Sequence, residues 1–136
     1  MPVESDAELR EILGLETVAV VGCSSTPGKD AHDVPAYLRQ QGYEVVPVNP
    51  FAEEIFGRTA YDSLADVEEE VDITNVFRPS EEVSGIVDDV LHRDDVRVVW
   101  TQLGISDPEA TQRAEDAGRT VVQDRCMKVE HERLIG

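Results

Sequence analysis

Five short Val-rich runs, separated by segments with helical spacing, limit the fold of this sequence more than any other feature. The runs are too continuously apolar for strands with one face in water, and are typical of parallel strands covered on both faces. Alternating strands and helices predict right-handed βαβ units and an open, doubly wound α/β sheet of about five mainly parallel strands. The default order of such strands is 3-2-1-4-5, with helices on both faces. The runs lie at residues 17–21, 44–48, 73–77, 96–100 and 120–122.

Capping residues predict where several helices begin. The run Ser5-Asp6-Ala7-Glu8 is a capping box, which predicts an N-terminal helix within residues 1–14. Ser80 is predicted to cap a helix whose apolar stripe begins at Val83. Asp107-Pro108 places a capping residue before a proline and so predicts the start of another helix.

The length and composition fit one globular domain. With 136 residues, 40% of them hydrophobic, the chain buries a core without disulfides. We assign residues 1–136 to one domain, in which residues 123–136 form a C-terminal packing segment. Residues 51–71 lack the pattern of a full crossover helix and predict irregular structure or short turns. Because no apolar run approaches the ~20 residues of a membrane span and no signal peptide is visible, we expect a cytoplasmic protein.

The strong negative charge excludes several classes of partner. The chain has 29 acidic and 12 basic residues, for a formal net charge of −17. This argues against DNA, RNA or an anionic membrane as the main partner, because each requires a basic face. Only Lys29 and Lys128 are lysines. Such a surface is typical of adaptation to concentrated salt, where a Debye length of ~3 Å at 1 M screens self-repulsion; an ordinary acidic protein remains the alternative.

Basic residues follow three of the predicted strands at their carboxyl ends. Lys29 follows the first strand, Arg78 the third and Arg125 the fifth. Ligands of doubly wound sheets bind beyond these ends, so the sequence predicts a local site for an anionic ligand. For Arg125, a salt bridge that holds the C-terminal segment is the simpler interpretation.

The loop after the first strand, residues 22–29, matches neither common nucleotide fingerprint. A P-loop has four residues between its glycines, whereas five separate Gly22 from Gly28, and Asp30 stands where the Mg²⁺-binding hydroxyl belongs. The dinucleotide motif GxGxxG is absent, and Asn49-Pro50 replaces its acidic residue on the second strand. What remains is a Gly/Ser loop that enters a helix. Its free N–H groups would hold a phosphate, unless it is an ordinary βα turn.

Four spaced blocks, YEVVPVNP, VFRP, QLGI and DRCMKVEHERL, together with the loop GCSSTPGKD, resemble the small single-domain CoA-binding proteins. The resemblance covers roughly residues 10–134. These proteins are similar to the CoA-binding domain of the succinyl-CoA synthetase alpha subunit. The resemblance implies a Rossmann-like fold that binds coenzyme A or acyl-CoA through its phosphates and adenosine.

The resemblance also implies which residues form the ligand edge. They belong to the first loop and to the ends of the second, third and fourth strands. Lys29 stands where we expect arginine, which keeps the charge but loses bidentate phosphate recognition. Cys23 is a second departure, within the loop. The implied binding residues are Gly22, Ser24, Ser25, Pro27, Lys29, Asn49, Pro50, Phe77, Arg78, Pro79, Gln102, Leu103 and Gly104.

No catalytic or metal-binding constellation is visible in the sequence. A nucleophile needs a nearby base, and none of His32, His92 and His131 is close in sequence to Cys23 or Ser24. The favoured function is a stand-alone CoA-binding module without evident catalytic residues. Four alternatives stay open. They are a non-catalytic subunit of an acyl-CoA synthetase, an enzyme or enzyme subunit that handles acyl-CoA, an NAD(P)-binding Rossmann protein, and a redox protein that joins Cys23 to the CoA thiol. A protein partner or a homodimer also stays open.

Overall fold

Seven strands and five helices form the computed structural model, which describes residues 1–136. The strands are β1 (Thr17–Val21), β2 (Glu44–Val48), β3 (Glu54–Ile55), β4 (Arg58–Thr59), β5 (Ile73–Val76), β6 (Val98–Thr101) and β7 (Thr120–Val122). The helices are α1 (Asp6–Leu13), α2 (Asp30–Gln40), α3 (Val83–Leu91), α4 (Pro108–Asp116) and α5 (Met127–Leu134). None of the helices is long and apolar enough to cross a membrane.

Five parallel strands form the main sheet, in the order β2-β1-β5-β6-β7, and β3 and β4 form a separate antiparallel hairpin. The doubly wound α/β prediction is therefore confirmed, but the strand order 3-2-1-4-5 is wrong. Numbered by the five predicted strands alone, the observed order is 2-1-3-4-5. The position outside β2 contains only a single bridge between Val48 and Tyr61. The chain then crosses to the other side of β1, so the topological switch point lies between β1 and β5.

Both faces of the main sheet are covered, which explains why the strand runs are continuously apolar. On one face, Leu9 of α1, Leu38 of α2 and Met127 of α5 pack in a cluster with Trp100. On the other face, α3 and α4 pack against the sheet in a second cluster that includes Val87. These five side chains are fully buried.

Two of the three predicted helix caps form as expected. The Ser5 hydroxyl accepts a hydrogen bond from the Glu8 N–H at 3.3 Å, and the Asp107 carboxylate accepts one from the Ala110 N–H at 3.1 Å. The prediction that Ser80 caps α3 is wrong. Residues 80–82 form a 3₁₀ turn before α3, and the Ser80 hydroxyl instead accepts a hydrogen bond from the backbone N–H of Ser106 at 3.0 Å.

The segment 51–71 is irregular, as predicted, and Arg93 holds its second half in place. The Arg93 guanidinium donates to the carbonyl oxygens of Leu64, Val67 and Glu69 at 2.8–3.0 Å. It also forms a bidentate pair with Asp95 at 2.8 and 3.0 Å. Burial acts to raise the pKa of Asp95, but these hydrogen bonds outweigh it and lower that pKa. A single, mostly buried cation thus satisfies carbonyls that a crossover helix would have satisfied internally.

The substitution Arg93→Lys tests this role. An ammonium cannot reproduce the five hydrogen bonds of the guanidinium fork, so we expect the free energy of unfolding to fall by about 2 kcal/mol. Urea unfolding followed by circular dichroism measures it. Arg10→Lys, at an exposed position of α1, is the matched control and should change stability by less than about 0.5 kcal/mol. Equal stabilities of the two variants would contradict the role.

Candidate functional site

The switch point brings the first loop, residues 22–29, against the turn that follows β5. Gly22 has a φ of +91°, and a Cβ atom there would lie 2.8 Å from Cδ of Arg78 and 3.3 Å from the carbonyl carbon of Phe77. Glycine is therefore required both for the backbone conformation and for the close approach of Arg78. The structure thus brings together Gly22, Phe77 and Arg78, three of the residues implied by the sequence.

A cleft of about 440 Å³, which we call the switch-point cleft, opens beside this contact. Four of the residues implied by the sequence line it, namely Gly22, Asn49, Pro50 and Arg78. Its apolar lining is Val21, Val48, Phe51, Leu64 and Ile86, and the remaining lining residues are Asp62, Ser63, Glu82 and Asp89. Arg78 is therefore the single cation in a cleft with three carboxylates.

Arg78 is paired within the chain. Its Nε donates to Oε1 of Glu82 at 3.1 Å and its Nη2 donates to Oε2 at 2.7 Å. This bidentate hydrogen bond lowers the pKa of Glu82. Both side chains are nearly half exposed, at 45% and 46%. Because exposed pairs of this kind contribute only about 0–1 kcal/mol, Arg78 can exchange Glu82 for an anionic ligand at little cost.

Asn49 joins the first loop to the end of β2. Its Nδ2 donates to the Cys23 carbonyl oxygen at 2.9 Å, and its Oδ1 accepts from the Phe51 N–H at 2.8 Å. Both polar atoms of the side chain thus make hydrogen bonds to the backbone. Asn49 lines the switch-point cleft and at the same time fixes the position of two loops that border it.

The first loop is ordered by its own side chains. The Ser24 hydroxyl accepts a hydrogen bond from the Thr26 N–H at 3.0 Å, and the Asp33 carboxylate accepts one from the Gly28 N–H at 3.1 Å. The Gly28 bond, followed by one from His32, lowers the pKa of Asp33. These two hydrogen bonds hold the turn of the loop in place.

The amino end of α2 follows this loop and presents free donors. Lys29 is the N-cap residue, and the backbone N–H groups of Asp30 and Ala31 make no hydrogen bond within the chain. Ser25 and Pro27 are exposed, as is Lys29. Free N–H groups at the positive end of a helix are suited to an anion.

A second depression, the α2–α5 cavity, has a volume of about 500 Å³. It is lined by Phe77, Gln102 and Leu103 from the implied set. The other lining residues are Asp30, Asp33, Val34, Ile105, Cys126, Lys128, Val129 and Glu132. Seven of the thirteen implied residues are therefore divided between two depressions. The first loop begins at Gly22 in one of them and leads to Asp30, at the start of α2, in the other.

Six implied residues line neither depression. Two of them lie outside the first loop, namely Pro79 and Gly104, and the other four are Ser24, Ser25, Pro27 and Lys29 of that loop. Pro79 is exposed and precedes the 3₁₀ turn before α3. Gly104 is also exposed, and its N–H donates to the Asp124 carboxylate at 2.6 Å. The structure gives both residues a role in turns rather than a place in either cavity.

Sequence reasoning missed several lining residues. Asp62 and Ser63 lie in the irregular segment, which offers no periodic pattern, and Asp89 lies on α3. Cys126 follows the fifth predicted strand in the block DRCMKVEHERL, and that position is the signal by which it could have been found. Arg125 pairs with Glu130 at 3.4 Å, in agreement with the salt-bridge interpretation.

The two cysteines lie in different environments. Cys23 is fully buried, and burial raises its pKa to about 12. A buried protonated thiol reacts slowly, which argues against the hypothesis that Cys23 joins the CoA thiol. Cys126 is only half-buried and lines the α2–α5 cavity.

Thiol titration distinguishes the two residues. With a chromogenic disulfide reagent at pH 8, we expect one thiol of the native protein to react and the second to react only after unfolding, because Cys23 is buried and protonated at that pH. Cys126→Ser should remove the reaction of the native protein. Rapid reaction of two thiols in the folded wild type would contradict this assignment.

Comparison with known proteins identifies the family of this chain. The family profile described as CoA binding domain matches residues 16–132. The chain is 41% identical over 128 residues to the uncharacterized protein YneT of Bacillus subtilis (strain 168). This alignment covers 93% of the chain and 94% of YneT. It is similar to the structure of cell-free ID.343 from Thermus thermophilus, with a TM-score of 0.92 and 46% identity over 97% of this chain and 100% of that one.

A longer relative links the chain to synthetases. Over 75 residues, the chain is 35% identical to the acetate–CoA ligase (ADP-forming) of Methanocaldococcus jannaschii. This match covers 55% of the chain and 11% of the ligase. The resemblance found in the sequence is thereby confirmed. The profile match spans most of the chain, and the chain belongs to the CoA-binding domain family, which is related to acyl-CoA synthetases.

Proposed function

We propose that this protein binds coenzyme A or an acyl-CoA, with the adenosine in the switch-point cleft and the phosphates on the first loop. One observation carries the proposal: Arg78 lies directly against Gly22 at the switch point between β1 and β5. Sheets with this strand order bind their nucleotides at that point. Membership in the CoA-binding domain family supports the choice of nucleotide.

The lining of the switch-point cleft suits an adenosine. Val48, Leu64 and Ile86 offer apolar contact to the base. The carboxylates of Asp62 and Asp89 accept hydrogen bonds from ribose hydroxyls and from the adenine amino group. Because the same carboxylates repel phosphate, the charged part of the ligand would lie at the entrance of the cleft.

The phosphates would be held by donors outside the carboxylate-lined part of the cleft. Arg78 supplies a planar fork once it releases Glu82, and Lys29 supplies a second cation. The free N–H groups of Asp30 and Ala31 add the positive end of α2. With a net charge of −17, the chain as a whole repels an anion, so direct charge-assisted hydrogen bonds must provide the affinity.

The ligase match favours a second candidate function. The chain corresponds to about a tenth of the Methanocaldococcus jannaschii acetate–CoA ligase. In this candidate function, the protein provides the CoA site of an acyl-CoA synthetase whose ligase domains lie on a separate chain. Formation of acyl-CoA from acid, CoA and ATP by the protein together with such a chain, and by neither alone, would establish it.

Arg78→Ala tests the phosphate contact. Loss of a charge-assisted hydrogen bond, which is worth about 1.5–3 kcal/mol, should weaken CoA binding about tenfold to a hundredfold. Calorimetric titration at one fixed salt concentration measures this change. The control is Arg97→Ala, at an exposed position next to the amino end of β6, at the opposite edge of the sheet. Equal affinities of the two variants would contradict the role of Arg78, and NADP⁺ binding tighter than CoA binding would contradict the choice of ligand.

A further inference from the structure

The α2–α5 cavity lies next to the proposed nucleotide site. Phe77 lines this cavity, while its neighbour Arg78 lines the switch-point cleft. The first loop likewise begins at Gly22 in the cleft and leads to Asp30 in the cavity. A ligand whose phosphates lie on this loop can therefore extend one end into each depression.

The charged residues that line the α2–α5 cavity disfavour a phosphate there but permit a neutral group. Asp30, Asp33 and Glu132 line it, with Lys128 as the single cation. A phosphate would meet net repulsion there. The part of CoA that carries no charge is its pantetheine arm, a chain of two amides that ends in a thiol.

The apolar lining offers contacts to such an arm. Leu103 is 70% exposed and Val129 is 53% exposed, and both line this cavity together with Phe77. Large apolar side chains exposed side by side in a depression are typical of a binding site.

Gln102 supplies a polar group suited to an amide. The residue is 5% exposed, and its Oε1 accepts a hydrogen bond from the Met127 N–H at 3.0 Å. That bond fixes which end of the side-chain amide is the oxygen. Nε2 makes no hydrogen bond within the chain, and the residue lines the cavity. This donor is not among the enclosed polar atoms without a partner, so it is accessible and free to donate to a ligand carbonyl.

We propose that the α2–α5 cavity receives the pantetheine arm of CoA and places the CoA sulfur within reach of the Cys126 thiol. This inference rests on the proposed function, because the nucleotide must hold the arm in place. Cys126 lines the same cavity as Gln102 and Leu103 and is half-buried, whereas Cys23 is fully enclosed.

The chemistry that this placement permits is thiol–disulfide exchange with a disulfide of CoA. The Cys126 thiol gives its proton to solvent, and the thiolate attacks one sulfur of the disulfide. The S–S bond of the reagent breaks as the bond between Cys126 and CoA forms. The other half leaves as a thiolate and takes up a proton. One disulfide is consumed and one is formed, so no further oxidant or reductant is needed.

The test compares two disulfides that share the same arm. The reduced full-length protein is treated with CoA disulfide or with pantethine, the disulfide of pantetheine, which lacks the nucleotide. Intact-mass and peptide mass spectrometry follow the adduct. Because a bound nucleotide raises the effective concentration of the sulfur, we expect labelling of Cys126 by CoA disulfide at least about tenfold faster than by pantethine. Cys126→Ser should abolish the adduct.

A matched pair of variants tests the cavity itself. Val129→Asp should slow labelling by CoA disulfide about tenfold, through lost apolar contact and added negative charge, with unchanged labelling by a small neutral thiol reagent. Ile135→Asp is the control, since Ile135 is also 53% exposed but does not line the α2–α5 cavity. CoA disulfide should label the Ile135→Asp variant at the wild-type rate.

Calorimetry separates failure of this inference from failure of the proposed function. If CoA binds but CoA disulfide labels Cys126 no faster than pantethine does, the arm does not occupy this cavity and the inference is overturned while the proposed function stands. If CoA shows no binding, the proposed function itself is wrong and the inference falls with it.

Discussion

The parallel pairing of β1 with β5 is the interaction on which the candidate site depends. Val21 stands opposite Val76 in the register, so the chain leaves both strands at the same level of the sheet. Gly22 and Phe77 follow directly, and the absence of a Cβ at Gly22 lets Arg78 lie on the first loop. Every residue of β1 and β5 is buried. Burial of both sheet faces thus fixes the register and, through it, the geometry of the ligand edge.

The sequence predicts the elements of this fold better than their arrangement. Buried strands appear as Val-rich runs, and the caps at Ser5 and Asp107 lie within three residues of their partners, so both are readable locally. Strand order depends on where the irregular segment leads the chain. In that segment only a single bridge, between Val48 and Tyr61, lies beside β2, and one bridge leaves no periodic pattern in the sequence. Ser80 was mispredicted for the same reason, since its hydrogen-bond partner is 26 residues away.

The candidate site was predictable as an edge of the sheet but not as two depressions. The carboxyl-end rule and the resemblance name Gly22, Arg78 and Gln102 together, yet Gln102 lines the α2–α5 cavity and not the switch-point cleft. The supporting role of Asn49 was also hidden, because its hydrogen bond to the Cys23 carbonyl oxygen joins residues 26 positions apart. Arg78 is paired with Glu82, so an anionic ligand must replace a carboxylate there, at the small cost of an exposed ion pair.

Titration of the ¹⁵N-labelled protein with CoA, followed by two-dimensional NMR, tests most directly whether the nucleotide occupies the switch point. We expect the largest chemical-shift changes at the backbone amides of Gly22, Asp30, Ala31 and Arg78. We expect little change at the opposite edge, near Arg97. Changes concentrated near Arg97 and absent from the first loop would contradict this placement.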